Sequence, residues 1–219
     1  MSIEVDSVYA VPAEIDDPAG TAAALARVLG PDTGVPSLAS RLTGDRLFVW
    51  LRRKVDPEAR AAIKGLGLKG IGFAREHKRF YPHGRLASHV MGWGGMDNDG
   101  MEGLELQLDA RVRGQDGKVF ALRDARGKKF LKVTQREPVA GQSMVLTIDQ
   151  TIQYLAEREL GRSIAETGAK AGTVIVLSPA TGDILALANA PDYNLNRPGK
   201  ADAEARKNRA IVDAYEPGS

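Results

Sequence analysis

With 219 residues the chain has material for one large domain or two small ones, and its 43% apolar and 26% charged content is that of a globular protein. A formal net charge of +2 gives no electrostatic case for binding nucleic acid. There is no cysteine, which excludes disulfides and thiolate chemistry, and no run of about 18 or more apolar residues, so nothing in the sequence reads as a membrane span.

The N-terminus, Met1–Asp6, lacks the basic region and apolar core of a signal peptide. Residues 3–12 read as a strand, with Ile3, Val5 and Ser7 alternating against charged neighbours. Asp17-Pro18 is a helix cap followed by proline at the first helical position, and Gly30-Pro31 closes that helix behind Leu25, Val28 and Leu29. A short helix is expected over Pro36–Leu42, a strand over Leu47–Leu51 and a second capped helix from Asp56-Pro57 to Lys64. Alternation returns in Leu66–Phe73 and runs on through a basic strand, Arg75–Tyr81. Ala87–Trp93 and Met101–Val112 read as helices; in the second, Leu104, Leu108 and Val112 recur every four residues.

Further on, Lys118–Arg123 and Lys129–Arg136 are strands turned by Asp124-Ala125-Arg126-Gly127, and Met144–Ile148 is a short apolar strand. Asp149 caps the longest helix, 150–167, with Ile152, Ala156, Leu160 and Ile164 on one face. Gly172–Leu177 and Asp183–Ala188 form a hairpin so apolar that it is expected in the middle of a sheet. The pattern is α+β, with a boundary at 138–142 where Pro138 and Gly141 separate a basic, irregular half from a more apolar one.

Several motifs point to bland readings. Gly65–Gly70 fits G-x-G-x-x-G, but a helix precedes it and a strand follows, the reverse of the dinucleotide-binding order. His77, His83 and His89 are six apart, which suits no helical zinc pair. Asp97-Asn98-Asp99-Gly100 lacks the remaining oxygen ligands of a calcium loop and reads as a turn. The basic stretch Arg75–Arg85 is a solvated strand edge or an anionic-polymer site. No metal is therefore assigned.

The chain ends in Tyr215-Glu216-Pro217-Gly218-Ser219. Pro217 fixes φ and Gly218 tolerates positive φ, a bend that sets Ser219 where a helix would begin and where developing negative charge is stabilised. A serine alone is a poor nucleophile and needs a base; in Ser-x-x-Lys the lysine follows on the same helical face. No Ser-x-x-Lys is present: three residues beyond Ser143, Ser163 and Ser178 stand Leu146, Glu166 and Thr181.

Taken together, these stretches resemble a class B penicillin-binding protein, over nearly the whole chain. Arg79-Phe80-Tyr81-Pro82 with Ala87–Gly92 is similar to the family's pedestal segment, and Gly100-Met101-Glu102-Gly103-Leu104-Glu105 to its Gly-x-Glu-Gly-x-Glu helix. Val145–Asp149 resembles the entry to the transpeptidase domain, and Ala171–Asn194 its first hairpin. Asn208-Arg209-Ala210 and Tyr215–Ser219 stand where the family places the approach to its active-site serine.

The resemblance implies a pedestal (dimerisation) domain over 1–140 and the incomplete start of a transpeptidase domain over 141–219. It implies a peptidoglycan D,D-transpeptidase of the division type on the outer, periplasmic face of the cytoplasmic membrane. Ser219 is its acyl-enzyme nucleophile; its substrates are peptidoglycan stem peptides and its inhibitors penicillin and other β-lactams. No cofactor is implied. Because the lysine, the Ser-x-Asn and the Lys-Thr-Gly strand are missing, the chain is expected to be an inactive fragment. The alternative is a non-catalytic scaffold that binds a membrane glycosyltransferase or division proteins through Arg79, Tyr81 and Trp93.

Overall fold

The computed structural model describes the backbone of residues 1–30, 33–123, 129–214 and 216, and the side chains of these except 119–133. The chain divides into two compact units, Met1–Phe80 and Tyr81–Ser219. Every strand pairing among the described residues is antiparallel, and helices and strands are mixed in both units, as expected of an α+β chain.

The first unit runs β1 (Ser2–Ala10), α1 (Pro18–Leu29), α2 (Val35–Leu42), β2 (Val49–Val55), α3 (Pro57–Gly65) and β3 (Ile71–Arg79), with sheet order β2-β1-β3. Asp17 caps α1 as expected, its carboxylate accepting the Gly20 N–H at 2.9 Å, whereas Asp56 opens α3 without a side-chain capping bond. Val8 and Ala10 of the central strand are buried with Leu51, Val55, Leu25, Leu38, Leu42 and Ile63. Each such large side chain contributes about 1.5–3 kcal/mol by leaving water.

Two strand expectations shift. The Leu47–Leu51 strand begins at Val49 and continues through Arg52-Arg53-Lys54 to Val55, leaving Leu47 and Phe48 exposed. An edge strand buries only one face, so Leu51 and Val55 suffice to anchor a charged run. Of the alternation over Leu66–Phe73 only Ile71–Phe73 is strand, because 66–70 turn the chain out of α3; it continues without a break into the basic stretch as β3, paired residue by residue with β1.

The middle of this sheet also holds a buried hydroxyl. Ser7 is fully buried; its Oγ donates to Glu76 and accepts the Lys54 N–H at 2.8 Å. Arg53 Nε lies 3.1 Å from both Glu76 oxygens, and that hydrogen bond chiefly holds the Glu76 carboxyl below its ordinary pKa. The register irregularities between β1 and β2 flank Val8, opposite the segment where Lys54 takes φ 54°.

The second unit contains α4 (Ser88–Met91), α5 (Gly103–Gln107), α6 (Asp109–Val112), β4 (Lys118–Arg123), β5 (Lys129–Arg136), α7 (Gln150–Thr167), β6 (Gly172–Leu177), β7 (Ile184–Ala190), α8 (Ala203–Arg206) and α9 (Arg209–Val212). The helix expected over Met101–Val112 is broken at Leu108, because the Asp109 carboxylate turns back to accept the Gly100 N–H at 2.8 Å. The helix expected over Ala87–Trp93 is one turn, bounded by Ala87 and Gly92, both at positive φ.

The β4–β5 hairpin has the expected bounds, and its turn, 124–127, lies outside the described residues. Met144–Ile148 is not a strand: Val145 is almost wholly exposed, and in place of a ladder the Thr147 hydroxyl donates to the Ile184 carbonyl and the N–H of Asp149, just beyond the segment, to that of Leu185. Asp149 caps α7 as expected, accepting the N–H groups of Thr151 and Ile152 at 2.9 Å, and Gly168 ends it. β6 and β7 pair with each other alone among the described strands, so the hairpin expected mid-sheet is a two-stranded sheet backed by α7. Ala186–Asn189 is buried, while Ile175 and Leu177 remain about half exposed.

Candidate functional site

Ser219, the sequence candidate for the nucleophile, lies with Tyr215, Pro217 and Gly218 outside the described residues. The described part of the approach, residues 192–213, is held by side chains from two places, the segment 81–102 and strand β7.

Helix α7 grips the hairpin through Gln153, which is fully buried on the face expected to be apolar. Its Oε1 accepts the Leu187 N–H at 2.8 Å and its Nε2 donates to the Leu187 carbonyl at 3.0 Å, as a neighbouring strand would do. Nε2 also donates to Glu157 at 2.7 Å, and Glu157 accepts the Ala87 N–H at the same distance. Burial raises the Glu157 pKa, against the two hydrogen bonds that favour its charged form.

A second amide works in the same way. Asn196 accepts the Tyr81 N–H at 3.0 Å and donates to the Tyr81 carbonyl at 2.8 Å. Tyr81 is buried with Tyr193 and Leu195, and its hydroxyl accepts the Gly94 N–H at 2.9 Å. Trp93 is partly buried against this cluster, with its indole N–H buried and unpartnered. Arg79 sits in the first unit, on β3 opposite Ser2. Of the three residues expected to anchor a partner, Tyr81 thus serves the interior.

The Gly-x-Glu-Gly segment comes into close contact with Gly92. A Cβ on Gly92 would lie 1.8 Å from the Glu102 carbonyl oxygen, and one on Gly103 would lie 2.6 Å from the Gly92 nitrogen; both residues have positive φ. This approach brings Glu102 beside the segment that follows β7. The Tyr193 hydroxyl lies 3.3 Å from the Ser88 carbonyl and 3.4 Å from Glu102 Oε2, with one proton for two acceptors. Arg206 Nη1 reaches Glu102 Oε1 at 3.4 Å.

His89 is buried edge-on against the Tyr193 ring, and its Nε2 lies 2.8 Å from the Ala205 carbonyl. A carbonyl only accepts, so Nε2 carries the proton and Nδ1 faces Ser88 Oγ at 3.4 Å. Burial pushes the imidazole pKa down, keeping it neutral. Ser88 and His89 are the described pair most like a nucleophile and base, but both are buried and the imidazole is committed to the backbone. The chemistry of these residues is therefore positioning. Of the other histidines, His77 and His83 are exposed, and among the described residues no cluster of His, Cys, Asp or Glu could hold a metal.

The family described as the penicillin-binding protein dimerisation domain matches residues 4–146, and the penicillin-binding protein transpeptidase domain matches 172–219. The chain belongs to the penicillin-binding proteins. It is 42% identical to the probable peptidoglycan D,D-transpeptidase PenA of Neisseria meningitidis serogroup A, over all of this chain and 38% of that protein. It is 33% identical to the peptidoglycan D,D-transpeptidase FtsI of Escherichia coli K12, again over all of this chain and 38% of the relative. The chain thus spans under two-fifths of the length of these relatives. In fold it is similar to a peptidoglycan synthetase from Bifidobacterium adolescentis, with TM-score 0.61 and 23% identity over the whole chain and 44% of that structure. Penicillin-binding protein 2X from Streptococcus thermophilus gives TM-score 0.59 at 21% identity, covering 92% of this chain and 34% of that one.

In this penicillin-binding protein chain, Ser88, His89 and Glu102 lie in the dimerisation-domain match, and Tyr193, Ala205 and Arg206 in the transpeptidase-domain match. The polar contacts between them join the two matched regions. Sequence reasoning missed Gln153, Glu157, Asn189 and Asn196. The available signal was a polar residue interrupting an apolar stripe or run, as Gln153 does beside Ile152 and Asn189 does after Leu185–Ala188.

Proposed function

We propose that this chain is the pedestal, over 1–140, and the opening of the catalytic domain, over 141–219, of a division-type peptidoglycan D,D-transpeptidase. Ser219 is the nucleophile. Its Oγ attacks the carbonyl between the terminal D-alanines of a stem peptide, forming an ester as the peptide C–N bond breaks. The serine proton passes to a neighbouring base, and D-alanine leaves as the protonated amine. An amine of a neighbouring stem peptide then takes the acyl group and frees Ser219. Penicillin and other β-lactams acylate the same oxygen. The observation that carries this reading is the transpeptidase-domain match that reaches Ser219, within similarity to D,D-transpeptidases along the whole chain.

The test uses a fluorescent penicillin and a denaturing gel. The 219-residue chain, which has no Ser-x-x-Lys lysine, is expected to stay unlabelled, because loss of the base costs orders of magnitude. A longer protein carrying this sequence and continuing past Ser219 is expected to label, and to lose the label in Ser219→Ala. Failure of that longer protein to label would sink the transpeptidase reading.

On this reading cross-linking takes place at the outer face of the cytoplasmic membrane. Among the described residues no helix is long and apolar enough to cross a membrane. A membrane glycosyltransferase or division protein docks on the pedestal, with Arg79 and the exposed part of Trp93 as contacts. Tyr81 supports Trp93 from the interior. A pull-down of the glycosyltransferase with this chain is expected to weaken at least tenfold with Arg79→Glu. Equal capture by wild type and variant would remove Arg79 from the interface.

A further inference from the structure

Helix α9 begins at Asn208, a residue type that ordinarily caps its own helix, yet Asn208 makes no capping bond. The cap comes from elsewhere. The N–H of Ala210, second in the helix, donates to Oδ1 of Asn189 on β7 at 3.0 Å. Asn189 is buried, and the Thr173 hydroxyl on β6 donates to the same oxygen at 2.9 Å. With its oxygen so used, the Asn189 amide donates Nδ2 to Asn208 Oδ1 at 3.1 Å, and Asn208 in turn donates Nδ2 to the His89 carbonyl at 3.3 Å.

The relay has one direction. A carbonyl at the His89 end can only accept, and an N–H at the Ala210 end can only donate, so both amide orientations are determined by their partners. Reversing either amide would set oxygen against oxygen. The relay therefore ties α9 at once to the hairpin and to the Ser88–Met91 turn. Asn208 is given up as a local cap so that α9 is registered by tertiary structure instead. The hydrogen bond from His89 Nε2 to Ala205 and the contact of Arg206 with Glu102 hold the preceding turn in the same frame. This is the last described helix before Ser219.

We infer that Asn189 and Asn208 are positioning residues for acylation at Ser219, setting the register in which the chain enters the nucleophile. The inference rests on the transpeptidase reading above. Displacement of a nucleophile by about 1 Å costs on the order of 100-fold in rate, so loss of the relay acts on the chemical step rather than on penicillin affinity.

The experiment measures saturation kinetics of fluorescent-penicillin acylation in the longer protein, for wild type, Asn189→Ala and Asn208→Ala. Expected is a fall of about 10- to 100-fold in the limiting acylation rate, with the half-saturating penicillin concentration and the final labelled stoichiometry unchanged. A merely structural role would lower the stoichiometry and leave the surviving protein reacting at the wild-type rate; that result overturns the inference. Asn208→Asp, which still accepts from Asn189 but cannot donate to His89, serves if the alanine variant does not fold, and the same fall is expected. Amide exchange in the 219-residue chain is read alongside. Protection of the Ala210 N–H is expected to drop in Asn189→Ala, and unchanged protection overturns the relay whatever the acylation kinetics. An unlabelled wild type removes the transpeptidase reading and this inference with it, a result distinct from labelled variants with wild-type rates.

Discussion

Gln153→Leu is expected to destabilise the Tyr81–Ser219 unit by about 2–6 kcal/mol. Leucine has nearly the shape of glutamine, so the cost does not arise from a cavity. It arises because the N–H and C=O of Leu187, both satisfied by the Gln153 amide, are left buried without partners, at about 1–3 kcal/mol each. Glu157 loses a donor as well. Against a typical total stability of about 5–15 kcal/mol this is a large fraction, and a urea midpoint shift reads it directly. Gln153→Glu separates hydrogen bonding from shape. Its neutral form can donate to the Leu187 carbonyl; its charged form faces that carbonyl and Glu157. The folded pKa of the new carboxyl is thus raised, so its stabilising contribution is complete below the unfolded value of about 4.3 and is lost as pH rises through the folded pKa. A Gln153→Leu midpoint within about 0.5 kcal/mol of wild type would show that water replaces the amide.

Gly92→Ala is expected to cost more than about 4 kcal/mol and to leave the chain largely insoluble. Two penalties add. The residue has φ 68°, a left-handed conformation costing about 1–2 kcal/mol for alanine. The new Cβ would also stand 1.8 Å from the Glu102 carbonyl, a backbone atom that can move only if the Gly92–Gly103 approach opens. Opening it carries Glu102 away from Tyr193 and Arg206. Gly182→Ala is the control: it has φ 77° with nothing within 4 Å of the added carbon, so only the strain of about 1–2 kcal/mol is expected. Equal destabilisation by the two substitutions, measured by urea unfolding, would mean that the close approach relaxes at little cost.

Local rules carried much of the fold. Asp17, Asp149 and Gly168 bound their helices as the capping rules require, because those bonds are made within one turn of the chain. The β4–β5 and β6–β7 hairpins followed from apolar runs separated by turn residues, and the family resemblance from motifs read in order. Local pattern failed where a distant partner decided. Leu104, Leu108 and Val112 recur as in a continuous helix, but Asp109 turns back to Gly100 and breaks it. Met144–Ile148 has the composition of a strand, yet the ladder on that side of β7 is taken over at Leu187 by the amide of Gln153. Asn208 has the side chain of a helix cap and is used instead to reach His89, while the cap comes from Asn189 on another element. A sequence specifies which groups can donate and accept. Which donor meets which acceptor is decided when α7, β7 and the 81–102 segment close on one another and burial makes every unpaired amide costly.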